Sequence, residues 1–291
     1  MPQTVLSNNE FSVKINSLGA ELQSFYSNTL NLELLWQANP KFWPRHAPIL
    51  FPIVGKLTNN QLIDQARTYP LTQHGFARDM EFEVLHHSDQ FVQLRLQSSE
   101  TTLRHYPYPF ELLVEYLLND NGLQTTFVIR NNQATSLPFS VGGHPAFNWP
   151  LHPDVVKEDH VIIFEQHETT PLLQLSDGLI APKTLPSPII DKQISLHEAL
   201  FVNDALIFDQ LNSKSIVYQA GSVCRLEMKF ADFPQLGIWT KPGADFVCLE
   251  PWLGYASPQG FDGEFITKPG IHVLPGYAEV AYSFDVKFSV C

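Results

Sequence analysis

Cysteine is scarce in this chain. Only Cys224, Cys248 and Cys291 occur, an odd number without metal-ligand spacing. That pattern argues against a disulfide scaffold and suits a reduced, cytoplasmic protein. Positive charge is also short: 18 Lys and Arg face 30 Asp and Glu, for a formal net charge of −12. Nucleic acid and anionic membrane surfaces are therefore poor partners. No run of ~18 apolar residues exists to span a bilayer. The start, Met1-Pro2-Gln3-Thr4, lacks the basic and then apolar pattern of a secretory leader. Also missing are a GxSxG elbow, a GxGxxG or Walker phosphate loop, and any HxH or HxxxH pair. The 11 histidines thus lack local metal-binding spacing, and no metal is expected.

What the chain does have is a period of two. Phe11, Val13 and Ile15 alternate with polar neighbours, as do Val92, Leu94 and Leu96. Near the end, Val280, Tyr282, Phe284, Val286 and Phe288 repeat the pattern. Each is a strand with one apolar face. Two apolar-rich runs meet at Asp120-Asn121-Gly122, a hairpin signal. Further strands read over 225–230, 236–240 and 246–249. Helical signal is confined to short stretches at 99–106 and 191–199. The proline-rich 150–190 region reads as long connections over one face. The 22 prolines and 15 glycines are spread along the whole chain, so no linker stands out. The expected fold is all-β, a large antiparallel β-sandwich of two stacked sheets forming one domain over residues 1–291.

Three stretches carry chemistry. In Val141-Gly142-Gly143-His144-Pro145-Ala146-Phe147, two glycines permit close backbone approach and a proline keeps the histidine out of helix. His144 is thus presented stiffly, with an imidazole suited to proton transfer near neutrality; a tight turn with a hydrogen-bonded histidine fits equally. In Gln73-His74-Gly75-Phe76-Ala77-Arg78-Asp79, a second His-Gly pair is followed by an arginine. Its plain alternative is a charged surface loop. In Phe246-Val247-Cys248-Leu249-Glu250-Pro251-Trp252, an apolar strand runs to a carboxylate. Pro251 is expected to break the ladder there, leaving Glu250 at the strand's mouth as a base or as an ordinary solvated acid. Asp204 opens an apolar run at 204–208, where a turn role is commoner. Trp239 is either core or a platform for a sugar ring. An imidazole and a carboxylate together make an acid/base pair.

These motifs, in this order and spacing, resemble the aldose 1-epimerase (galactose mutarotase) superfamily, and most closely its LacX-type branch. The likeness spans essentially the whole chain and includes the stretch from Trp36 to Gly55. It implies the galactose mutarotase-like supersandwich, in agreement with the periodicity. It also implies an isomerase that interconverts the α and β anomers of an aldohexose by opening and reclosing the ring, without a cofactor. By resemblance His144 is the general acid, Glu250 the general base and His74 a second histidine contacting the sugar. Arg78 and Asp204 would hold hydroxyls. Arg45 and Arg78 also resemble arginines that face the phosphate in the hexose-6-phosphate mutarotase branch, and Lys56 stands where many relatives carry arginine. The partner implied is a small-molecule sugar, free or 6-phosphorylated, bound by a monomer or homodimer. A non-catalytic sugar-binding protein on the same scaffold is the rival reading. Because the acid must be an imidazolium, a nearby carboxylate, or Glu250 itself, is expected to raise the pKa of His144.

Overall fold

A computed structural model describes residues 3–291. Strand accounts for about 49% of it and helix for about 7%, with antiparallel sheets throughout. The all-β expectation holds. Among the described residues no helix is long and apolar enough to cross a membrane.

Two sheets dominate. A nine-stranded sheet runs in the order Gln193–Ser195, His160–Phe164, Ser215–Ala220, Cys224–Lys229, Glu279–Val290, Gly122–Asn131, Phe110–Asn119, Phe91–Gln97 and Glu83–His87. Its strands show the alternation that the sequence predicts. Tyr282, Phe284, Val286 and Phe288 are buried while the residues between them are partly exposed. Facing it is an eight-stranded sheet in the order Leu179–Leu185, Leu172–Ser176, Leu206–Asp209, Gln235–Trp239, Phe246–Leu253, Val141–Gly143 and Ile49–Leu50, with Ala146–Asn148 also paired to Phe246–Leu253. Leu236, Ile238, Val247, Leu249 and Phe147 on one face join the main core with residues of the nine-stranded sheet. Removing such side chains from water, at roughly 1.5–3 kcal/mol each, is the main force holding the sheets together. The other face of the smaller sheet carries two satellite clusters. One gathers Trp36, Ala146, Phe246 and Cys248; the other gathers Leu50, Ile207, Trp252 and Ala256.

Several local expectations change. The one-turn helix Glu100–Leu103 forms behind a Ser99 capping box. The 191–199 region instead gives the strand Gln193–Ser195 and a 3₁₀ turn Glu198–Phe201. The 150–190 region is not merely connection, since it supplies three strands. Asn119 pairs with Gly122, so the hairpin turn is Asp120-Asn121. Gly122 is needed for a different reason: a Cβ there would lie 2.0 Å from the Val286 carbonyl oxygen.

Pro251 does not end its strand, which continues to Leu253 and is buried up to its last residue. The reason lies in the neighbouring chain. Leu249 N–H donates to the Pro145 carbonyl at 3.2 Å, so the missing N–H of Pro251, two residues on, faces the same neighbour. In the register of that pairing Pro251 stands opposite Gly143, the last residue of Val141–Gly143 before the break that runs to Ala146, so its missing donor falls at the end of a short ladder and not in its middle.

Candidate active site

The interruption that accommodates Pro251 also creates the site. Gly142 pairs with Trp252 and Ala146 with Cys248. The same register carried across the gap sets His144 directly opposite Glu250. Directly opposed residues on one face hold their Cβ atoms about 4.5–5.5 Å apart, and the two functional groups meet: His144 Nε2 lies 3.1 Å from Glu250 Oε2. Glu250 is only 1% exposed and His144 8%. On the other side of Glu250 stands Gly237. Glycines here serve close approach. A Cβ on Gly237 would come within 2.6 Å of the Trp252 ring, and one on Gly142 within 2.6 Å of the same indole. The Trp252 ring therefore lies across two strands beside the carboxylate.

Loops complete the walls. Trp43, in the 37–48 loop, stacks on His144 with ring centroids 4.9 Å apart and planes inclined by 28°. Its backbone is held by the Trp36 indole, whose Nε1 donates to the Trp43 carbonyl at 2.9 Å. Trp239 and His74 meet the imidazole edge-on, each at 5.8 Å. His74 sits at φ +66° in a turn docked on the 51–55 segment, where Gly55 N–H donates to its Nδ1 at 3.2 Å. That bond puts the ring proton on Nε2, so the Gln73 amide nitrogen 3.2 Å away cannot donate to it.

His144, Glu250, His74, Arg78, Asp204 and Trp239 all line one cavity of about 290 Å³. Arg45 does not. Its Nη2 donates to Asp79 Oδ1 at 2.8 Å. Arg78 donates to the Gln73 carbonyl at 2.8 Å while its buried Nε has no hydrogen-bond partner. Asp204, at φ +80°, accepts from the Ala205 N–H at 2.8 Å. Lys56 turns away, donating to the Asp177 carbonyl at 3.1 Å. Sequence reasoning missed Trp43, and with it Leu175 and Gly178, which belong to the hairpin of Leu172–Ser176 and Leu179–Leu185. Its turn residues Asp177 and Gly178 sit at φ +54° and +79°. Asp-Gly is a strong hairpin signal, and it was there to be read.

Burial sets the protonation of the pair. Dehydration pushes the His144 imidazole down to about 3, with the Arg78 and Arg45 charges adding to the effect and a contact to its own backbone opposing it. Dehydration likewise raises the Glu250 carboxyl well above its ordinary range, and the charge of Asp204 adds to this. The expectation that a carboxylate lifts His144 is not met, because the loss of water outweighs it. Burial thus favours neutral imidazole beside protonated carboxyl. His74 is lowered as well, by burial and by the neighbouring His144, Arg78 and Arg45. Atoms of His144, Cys248 and Glu250 lie within 4.8 Å of one another, a possible ligand set. Burial and Glu250 hold the Cys248 thiol well above its usual pKa, so it is a protonated, poor donor.

The aldose 1-epimerase family profile matches residues 2–268. The chromosomal protein LacX of Lactococcus lactis subsp. lactis is 33% identical over 290 residues, covering 93% of this chain and 94% of that protein. A galactose mutarotase related enzyme from Lactobacillus acidophilus superposes with a TM-score of 0.93 at 34% identity, covering 99% of this chain and 97% of its own. A galactose mutarotase-like protein from Lactobacillus casei gives 0.93 at 29% identity, covering 99% and 100%. With a profile match over most of its length and a relative above 30% identity across nearly all of it, this chain belongs to the aldose 1-epimerase family.

Proposed function

We propose that the protein is an aldose 1-epimerase acting on a free aldohexose in the cytoplasm. The observation that carries this is the buried cross-strand pair of His144 and Glu250, 3.1 Å apart on the wall of a cavity sized for one sugar ring. Ring opening removes a proton from the C1 hydroxyl and delivers one to the ring oxygen. Glu250 takes the first and His144 gives the second. Rotation about C1–C2 then exposes the other carbonyl face, and reclosure reverses both transfers. The pair holds one proton to share. Protonated Glu250 beside neutral His144 carries the same net charge as carboxylate beside imidazolium. Moving that proton from Glu250 to His144, as sugar hydroxyls enter and solvate the charges, arms the site without exchange with solvent. His74, Arg78 and Asp204 hold the other hydroxyls, and Trp239 or Trp43 covers an apolar ring face.

A 6-phosphorylated hexose is the second reading, favoured by the Arg78 guanidinium on the cavity lining, although its Nε lies 3.8 Å from Asp79 Oδ2. Free hexose ranks first because Arg45 is already paired with Asp79 and the carboxylate of Asp204 stands on the same lining. Polarimetry on freshly dissolved α-glucose and α-galactose, alongside their 6-phosphates, tests both readings. Faster equilibration of the free sugars is expected. Tight sugar binding with no acceleration would make this a sugar-binding protein.

A further inference from the structure

One buried donor beside the reacting pair has no part in the anomer exchange described above. Trp252 is 5% exposed, yet its indole Nε1 completes no aligned hydrogen bond among the described residues, and neither does Glu250 Oε2. Trp252 follows Glu250 by two residues on Phe246–Leu253, so both side chains leave the same face of that strand. The indole then lies back across it. Its Cδ1 comes 2.6 Å from the place of a Cβ on Gly142, and its Cζ2 and Cη2 come equally close to one on Gly237. Gly142 and Gly237 sit on the strands to either side, and Gly237 pairs with Glu250. Nε1 lies between Cδ1 and Cζ2 on the edge of the ring. The two glycines thereby carry the N–H over the strand beside the Glu250 carboxyl.

Packing across two glycines needs a flat ring but no donor, and burying a donor without an acceptor is costly. The contact already acts on the carboxyl: burial and the charge of Asp204 raise the Glu250 pKa, while Trp252, as a donor, lowers it. Such a bond is stronger to a carboxylate than to a neutral carboxyl. We infer that Trp252 is a positioning residue, whose indole N–H donates to Glu250 as that group ionises and holds it as the base for the C1 hydroxyl. The inference rests on the epimerase reading. The titratable groups around Glu250 are His144 across the strand gap, Asp204 and, on its own strand, Cys248; His74 and Arg78 share the cavity lining. The strand Gln235–Trp239 meets Glu250 with Gly237 and brings no charge.

The test follows mutarotation of glucose against pH in the wild type and in Trp252→Phe. The pair works with one proton between its two groups, so losing that proton ends activity on the alkaline side and gaining a second ends it on the acid side. Without the N–H, the shared proton stays more on Glu250. The alkaline limb should move up by about one pH unit and kcat on the plateau should fall roughly tenfold. KM and the acid limb, which reports His144, should hold. A fall in kcat at every pH with both limbs unmoved would reduce Trp252 to packing and overturn the inference, as would an unchanged enzyme. Proton–nitrogen NMR of the wild type decides the case in which Trp252→Phe does not fold. Among the five tryptophan indoles, that of Trp252 is identified by through-space contacts to the Gly142 and Gly237 α-protons. Its N–H should move downfield as Glu250 ionises, and stay put in Glu250→Gln. An indole signal indifferent to pH would end the inference. If no sugar turns over, the epimerase reading fails, and the same signal still decides whether Trp252 holds the carboxylate.

Discussion

The two large sheets use the same antiparallel pairing to different ends. The nine-stranded sheet holds the longest strands, Phe110–Asn119, Gly122–Asn131 and Glu279–Val290, paired without a break, and the last has one face in the core and one half in water. The eight-stranded sheet is built from short strands, carries Pro251 in its middle, and is broken at His144-Pro145. Regular pairing satisfies every backbone group and leaves no place for a reacting side chain to be both buried and open to a ligand. Interrupting one strand opens such a place while the register on either side still fixes what stands opposite. The irregular sheet is thus the one able to do chemistry, and the regular one is its support.

The largest test of that division removes the chemistry alone. Glu250→Gln keeps the shape of the side chain but cannot take a proton, and His144→Asn cannot give one. Each should lower mutarotation by ~10²–10⁴-fold, as positioned acid–base groups do. Circular dichroism should stay unchanged. Full activity in Glu250→Gln would remove the carboxylate from the mechanism.

The same division explains what the sequence revealed. Alternation exposed strands of the nine-stranded sheet where one face is wet, as with Val92, Leu94 and Leu96. Phe246–Leu253 is buried on both faces, so its run carries no alternation and its proline looked like an end. His144, Glu250 and His74 were legible as motifs because glycine and proline mark where backbone must deviate. Trp43 left no local mark: the Trp36 indole and the imidazole fix its position, and both contacts are tertiary.

A second test disturbs the seat of the site without touching the pair. Gly237→Ala drives a Cβ to 2.6 Å from the Trp252 ring. The indole must shift from its place beside Glu250. Overpacking of this kind costs about 1–3 kcal/mol, and kcat should fall with it. Urea titration reads the first effect and polarimetry the second. A variant as stable and active as the wild type would mean that Trp252 can be repacked freely.

Protonation offers a finer test. His144 is pushed below its ordinary value near 6.5, to about 3. As pH falls from 6.5 toward 3, the unfolded chain gains a proton that the folded chain refuses, so folded stability declines. The decline is at most about 1.4 kcal/mol per pH unit for this one group. His144→Asn lacks it. The stability gap between wild type and variant should therefore narrow from pH 7 to pH 5, as followed by thermal unfolding. Glu250 acts with the opposite sign: its raised pKa adds stability at low pH that is lost as pH rises above its ordinary range. Glu250→Gln should remove that decline. A gap that stays constant with pH in His144→Asn would show that the imidazole is not held neutral by burial.

The smallest effect belongs to the supporting sheet, and it sharpens the contrast most. Arg95 pairs with Glu83 across two strands near the sheet's edge, with side chains 28% and 62% exposed, and lies 3.8 Å from Glu111. Arg95→Ala deletes a whole charged side chain, yet water already screens that pair. Exposed ion pairs contribute about 0.2–1 kcal/mol. Glu111 is not orphaned, since it keeps Arg130 and Gln97 as partners. Unfolding should therefore shift by a few tenths of a kcal/mol, about the scale of such pairs, and mutarotation should not change. A single methyl group at Gly237 would then cost more than an entire arginine at position 95. If Arg95→Ala instead slows mutarotation, strain crosses from one sheet to the other, and the regular sheet is part of the catalytic machinery.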